Sequence, residues 1–404
     1  MKEPCSPKSD PSATAVTPNA PSPPAASLSA ARAEPQSPGP GRDSTLYHPE
    51  LTPGLLGQVE MLSTEFAAGW AAVSPGRNPA TVFAMLDNEV IGLGTASISR
   101  FGLDHAGRKG MLEPRAFTIV FSRPVPAEAV QSITVFAAGH VASIPRAETL
   151  KLEATPPLRI FVMGSPRSGT SELARTLSKV LGLPWKGEGH VAPLFHRVAN
   201  DMSGDASSEN ALVRFLAQQN FRNIAIEAAR LAYYTVHRSA SFLDKTPGFP
   251  MIMSAPFLSE CFPGSHFIFL RRNPVSNVLS RMVKFGGSFE AHCKDWTAAM
   301  KEWLKTRPML PHYLEIEQEQ MLLDPDRTAR AVADYIKLPD KAPAIAESLK
   351  GGSTQRTGAG IGKTDESQTG WSPGQLKKFE DVCGPTMRMF GYKLQSSRDG
   401  ADLT

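Results

Sequence analysis

The sequence predicts an α/β protein in which a parallel sheet flanked by helices follows a small antiparallel β domain and a disordered N-terminal tail. Three observations carry that expectation. The first fifty residues are mostly Pro, Ala and Ser, as in PSPPAASLSAARAEPQSPGPG. The stretch ATVFAMLDNEVIGLGTASI (80–98) then alternates in polarity about an Asp87-Asn88 pair. Beyond residue 158, two short apolar runs, RIFVMG (159–164) and HFIFL (266–270), each pass through a few polar residues into a segment of helical periodicity.

The tail, residues 1–55, cannot bury enough apolar surface to offset the entropy of ordering it. For residues 66–152, Asp-Asn between alternating runs is a hairpin turn signal. FTIVFS and SITVFAAG add two further short strands, and Pro124, Pro126 and Pro145 interrupt strand runs. Residues 158–394 form the last unit. There SELARTLSKVLGL places Leu173, Leu177 and Leu181 at i, i+4 and i+8 and closes on Gly182, a helix with one apolar face.

Composition narrows the classes of function. A chain of 404 residues that is 41% hydrophobic is long enough for one large core or two. A net charge of +4 argues against a broad nucleic-acid surface. Cys5, Cys261, Cys293 and Cys383 lack the paired spacing of a zinc site or a disulfide framework, so no metal is expected. No apolar run reaches the ~18–20 residues of a membrane span. The opening MKEPCSPKSD has no apolar signal-peptide core, and a cytoplasmic protein is expected.

The chemistry is concentrated in FVMGSPRSGTSELARTL (161–177). Gly164 and Gly169 have the spacing of a phosphate-binding loop, and strand, tight loop and helix follow one another in the order such a loop requires. Its amides and the positive end of the helix would face an anion. Thr170, however, stands where a nucleoside triphosphatase carries its lysine, and Arg167 lies inside the loop. That lysine, with magnesium, neutralises the β- and γ-phosphates of a triphosphate. A sulfuryl group in transfer carries less negative charge, so arginine, hydroxyls and amides suffice for it. An arginine fork suits phosphate well.

Pro166-Arg167-Ser168-Gly169-Thr170-Ser171 resembles the 5′-phosphosulfate loop of the sulfotransferase superfamily, enzymes dependent on 3′-phosphoadenosine-5′-phosphosulfate. About a hundred residues on, SHFIFLRRNPVSNVLSRMVKF ends a strand at Arg271-Arg272 and opens a helix with Asn273-Pro274. Arg272 and Ser280 correspond there to the superfamily's arginine and serine for the donor's 3′-phosphate. FLDKTPGF (242–249), DWTAAMKEWLK, the segment from His312 to Pro339 and WSPGQLKKFEDVCGPTMRMFGY extend the resemblance, which is to the broad bacterial group; Leu314 after Tyr313 displaces the group's usual acidic residue to Glu315. The segment 66–152 resembles the β domain of some bacterial glycosyl- and sulfotransferases.

The resemblance implies a P-loop-like fold with the donor at the carboxyl ends of the strands. It implies transfer of a sulfuryl group to a hydroxyl or amine of an acceptor that is a carbohydrate, lipid, peptide or small molecule, a glycan or glycolipid among them. Donor contacts then fall to Ser165, Pro166, Arg167, Ser168, Gly169, Thr170, Ser171, Arg272 and Ser280, and to Lys363 in the Gly-rich stretch 351–371, where Arg356 is a second candidate. Catalytic roles fall to Arg167, Glu188, His190 and Lys245. Glu188, 21 residues after Arg167, is placed similarly to the glutamate of tyrosylprotein sulfotransferases and is preferred over His190 as the base. Two other classes stay open on the residues alone: a P-loop nucleotide kinase or ATPase, and a non-catalytic glycan-binding protein on this fold.

Overall fold

Two β-sheets organise the chain in the computed structural model, which describes residues 56–73, 79–99, 113–203, 221–351 and 369–393. The tail, residues 1–55, lies outside the described residues, and the first strand starts at Leu56. The first sheet contains β1 (Leu56–Ser63), β2 (Phe66–Val73), β3 (Ala80–Leu86), β4 (Glu89–Ala96), β5 (Ile98–Ser99), β6 (Glu113–Phe121), β7 (Thr134–Ala137) and β8 (Arg146–Glu153). Its order is β7-β3-β4-β6-β2-β1-β8, with β5 beside β6. All its pairs are antiparallel except β1 with β8. The turn joining β3 to β4 is the expected one: Asp87 and Asn88 both take positive φ, 49° and 64°, as a two-residue hairpin turn demands. Alternation puts Val82, Ala84, Ile91, Phe117, Ile119 and Phe121 on one buried face.

The second sheet is parallel throughout, in the order β10-β9-β11-β12, from β9 (Arg159–Gly164), β10 (Phe242–Lys245), β11 (His266–Arg271) and β12 (Leu314–Glu317). Both of its faces are covered, so the continuous apolar run of RIFVMG is buried at every position. Ile160 and Val162 point into one core with Leu173 and Leu177; Phe161 and Met163 point into the other. The helices are α1 (Thr170–Leu181), α2 (Val191–Ser203), α3 (Phe221–His237), α4 (Phe249–Met253), α5 (Ala255–Cys261), α6 (Pro274–Phe285), α7 (Phe289–Thr306), α8 (Gln318–Leu323), α9 (Pro325–Tyr335), α10 (Ala342–Gly351) and α11 (Pro373–Met389). Among the described residues, no helix is long and apolar enough to cross a membrane.

Met61, Phe66 and Ala68 of the antiparallel sheet share a core with Tyr233 and Tyr234 of α3, and Phe66 stacks on Tyr234 with ring centroids 4.6 Å apart. At the end of α3, His237 is buried against Phe242 and Tyr233, its Nδ1 without a partner. Burial drives its pKa down from 6.5 to about 4. Between those two values the unfolded chain binds a proton here that the folded chain does not, so stability falls as pH falls through that window. His237→Phe is expected to remove a contribution on the order of 3 kcal/mol from the acid slope. The difference between variant and parent melting temperatures, measured from pH 7 to pH 4, reads it directly.

Candidate active site

Apart from the loop between α1 and α2 that carries Glu188 and His190, each described segment with a candidate residue follows the carboxyl end of a parallel strand. β9 runs into the loop 165–169, β10 into Lys245, β11 into Arg272 and β12 into Glu319. Gly164 can only be glycine: at φ 154° a Cβ would lie 2.2 Å from the carbonyl oxygen of Leu270 on the neighbouring strand. Gly169 starts α1 with φ 88°. Between them Arg167, which has a Cβ, also takes a left-handed conformation at φ 74°.

All but one of the carbonyl oxygens from Gly164 to Gly169 are bonded to protein donors. Gly164 O accepts from Gly248 N at 2.8 Å and Ser165 O from Ser168 N at 3.1 Å. Pro166 O accepts from Asn277 Nδ2 at 3.0 Å and Arg167 O from Arg272 Nη1 at 3.0 Å. Gly169 O accepts from the amides of Glu172 and Leu173. With the carbonyls so occupied, the amides that open α1 are the groups left to meet a ligand, because the first turn of a helix lacks intrahelical acceptors. Ser165, Ser168 and Thr170 are buried, and Ser165 Oγ has no partner. Ser171 and Arg167 are half-buried.

The helix after β11 closes the same loop from the other side. Asn273 Oδ1 accepts from Val275 N at 2.9 Å and Pro274 opens the helix, the expected cap. The two adjoining arginines part company. Arg271 turns to Glu317 at 3.5 Å, to Phe390 O at 3.0 Å and to the ring of Tyr392. Arg272 turns to the loop, with Nε buried and without a partner. Ser280 Oγ accepts from Arg167 Nε at 3.0 Å, which brings Arg167, Arg272 and Ser280 together. Burial lowers the pKa of both guanidiniums. For Arg272 the charge of Glu319 opposes that shift and the charge of Arg167 adds to it. Two partly desolvated guanidiniums beside the loop make its surroundings attractive to anions.

The β10 end supplies the third group. Asp244 and Lys245 are each 3% exposed. Asp244 accepts from the hydroxyls of Tyr233 and Thr246, and burial raises its pKa. Lys245 Nζ pairs with Glu188 Oε1, so the lysine is directed at the Glu188 loop. Glu188 Oε2 in turn lies 4.0 Å from His190 Nε2, and both side chains are solvent-accessible. His190 is itself left-handed at φ 50°. Gly248, three residues past Lys245, bonds the phosphate loop, so this pair flanks it. Arg356 and Lys363 lie outside the described residues.

Motif spacing singles out neither Asn277 nor Glu319. Glu319 Oε1 accepts from Asn273 N at 3.1 Å, and burial raises its pKa although Arg272 is nearby. Asn277 gives a faint signal, a polar residue three positions before Ser280 and so on the same side of the helix as that candidate. Among the described residues, no group of three or more His, Cys, Asp or Glu could hold a metal.

Comparison with known proteins bears on the segment that builds this site. Residues 157–342 match the model of the sulfotransferase family. Similar solved structures include three sulfotransferases. The sulfotransferase domain from the curacin biosynthetic pathway is 18% identical, with 59% of this chain and 99% of that one covered and a TM-score of 0.35. A sulfotransferase from Mycobacterium avium is 12% identical, with 59% and 79% covered and a TM-score of 0.37. A mouse sulfotransferase complexed with PAP is 11% identical, with 58% and 86% covered and a TM-score of 0.36. No curated protein matches the chain. The strand–loop–helix that carries Arg167 and the strand–helix that carries Arg272 and Ser280 both fall within the segment that matches the sulfotransferase family model.

Proposed function

We propose that the protein transfers a sulfuryl group from 3′-phosphoadenosine-5′-phosphosulfate to a hydroxyl or amine of an acceptor. The observation that carries this reading is the convergence of Arg167, Arg272 and Ser280 on a phosphate loop with Thr170 in place of lysine. A kinase or ATPase reading needs a cation at that position to meet a triphosphate. The division into a tail, a β domain and a sulfotransferase domain belongs to the same proposal.

In this reading the amides at the start of α1, Arg167 and the loop hydroxyls hold the donor's 5′-phosphosulfate, while Arg272 and Ser280 hold its 3′-phosphate. Glu188 takes the proton of the acceptor hydroxyl as its oxygen bonds to sulfur. The bond from sulfur to the bridging oxygen breaks, and that oxygen leaves on the 5′-phosphate. Arg167 and Lys245 offset its negative charge. Positioning and electrostatics dominate such a transfer, by analogy with phosphoryl transfer.

Donor selection tests the reading. Calorimetry is expected to show 3′,5′-bisphosphoadenosine binding much more tightly than 5′-AMP, and Arg272→Ala is expected to weaken the bisphosphate by about tenfold or more. Equal affinity for the two nucleotides overturns the assignment. A labelled-sulfate screen across carbohydrate, lipid, peptide and alcohol acceptors then identifies the second substrate.

A further inference from the structure

We infer that Asn277 is a positioning residue that holds the phosphate loop in its anion-binding shape. Asn277 is fully buried on α6, three residues before Ser280 and on the same side of the helix. A buried amide is costly unless its hydrogen bonds are made. Its Nδ2 makes two, to Pro166 O at 3.0 Å and to Ser168 Oγ at 3.2 Å. The carbonyl of Pro166 can only accept, which fixes the amide's orientation. Oδ1 is left buried with no partner, so for stability alone an apolar residue of the same size would serve better.

What the amide accomplishes is visible at the residue between its two partners. Arg167 is left-handed, a conformation that disfavours any residue with a Cβ by about 1–2 kcal/mol. One side-chain nitrogen that grips both of its neighbours holds the chain in that bend. Arg272 grips the carbonyl of Arg167 itself, and Ser280 receives its Nε. On the donor reading, from which this inference takes the roles of those two residues, Arg272 and Ser280 are drawn to the 3′-phosphate. Asn277 then remains to hold the loop in both the free and the bound state.

The test uses the full-length protein and two readouts. Asn277→Leu keeps the volume and removes both bonds; Asn277→Ala serves should the leucine variant fail to fold. Without any nucleotide, amide hydrogen exchange at residues 165–169 is expected to quicken by tenfold or more, with β9 and the rest of α6 unchanged. With ligand, affinity for nucleotides bearing a 5′-phosphate, 3′,5′-bisphosphoadenosine and 5′-AMP, is expected to fall about tenfold, while that for 3′-AMP changes less than twofold. Unchanged exchange in the loop overturns the inference, as does an equal loss for all three nucleotides, the mark of general damage. A parent protein that does not prefer the bisphosphate overturns the donor reading instead, and the exchange result still decides the role of Asn277.

Discussion

Glu188→Gln is expected to lower single-turnover sulfation by ~10²–10⁴ while affinity for 3′,5′-bisphosphoadenosine hardly changes. Glutamine keeps the size of the side chain and an oxygen for Lys245, its buried partner, but cannot take a proton. Glu188 is 44% exposed, so one face of the carboxylate is open to an acceptor while the other is held by the lysine. Arg167→Ala should differ in kind, losing both donor affinity and turnover, because in the proposed mechanism the arginine meets the phosphate before and during transfer. His190→Ala is expected to have the smaller effect. A normal rate for Glu188→Gln with a dead His190→Ala makes the histidine the base, and the 4.0 Å approach of its Nε2 to Glu188 Oε2 would then give the carboxylate an orienting part. Asp244 is a poor substitute for either. It is buried, and its two oxygens are taken by Tyr233 and Thr246, which leaves it no approach to an acceptor.

How much of this site can be read in the sequence depends on how local each relationship is. The phosphate loop is a contiguous run, and its strand, glycines and helix announce one another; so do the Asn273-Pro274 cap and the Asp87-Asn88 turn, whose positive φ values the residue types demand. Relationships between distant segments leave no such trace. Nothing within RRNPVSN tells that Arg271 turns to the chain's closing segment while Arg272 turns to the loop. The pairing of Lys245 with Glu188 joins residues 57 apart, and that of Asn277 with Pro166 joins residues 111 apart. The same holds for the first sheet. Its hairpin is legible, but β1 pairs antiparallel with β2 and parallel with β8, and the second of those pairings rests on a contact nearly ninety residues away in the chain. Thr170 is the informative departure: a loop with the glycine spacing of a triphosphate site but no lysine suits a less highly charged group in transfer.

Glu65→Gln is expected to destabilise the fold by about 3–5 kcal/mol, the usual cost of removing one member of a buried ion pair. Glu65 sits in the turn between β1 and β2, where Ser63 Oγ accepts from the amides of Glu65 and Phe66 and fixes the bend. The turn aims the carboxylate at the second sheet. Its Oε2 lies 2.6 Å from Arg159 Nη2 and 3.7 Å from Arg230 Nη2, and it also accepts from the hydroxyl of Tyr234. Arg159, 4% exposed, opens the strand that ends at the phosphate loop. Burial alone would raise the pKa of Glu65, but the two arginines and the tyrosine outweigh it and hold the carboxyl below its usual value. The stability so gained is full above the unfolded pKa and is lost as pH falls through the lower folded one. The variant should therefore melt roughly 5–10 °C below the parent at pH 7, with the gap closing in acid. This is a different window from that of His237, whose contribution is already failing between pH 6.5 and about 4. Glutamine leaves Arg159 buried with its charge uncompensated at one end of β9, so donor affinity measured well below the melting temperature separates two consequences. Unchanged affinity confines the effect to the join between the sheets. A fall in affinity together with stability means that this join also sets the position of the loop at the other end of the same strand.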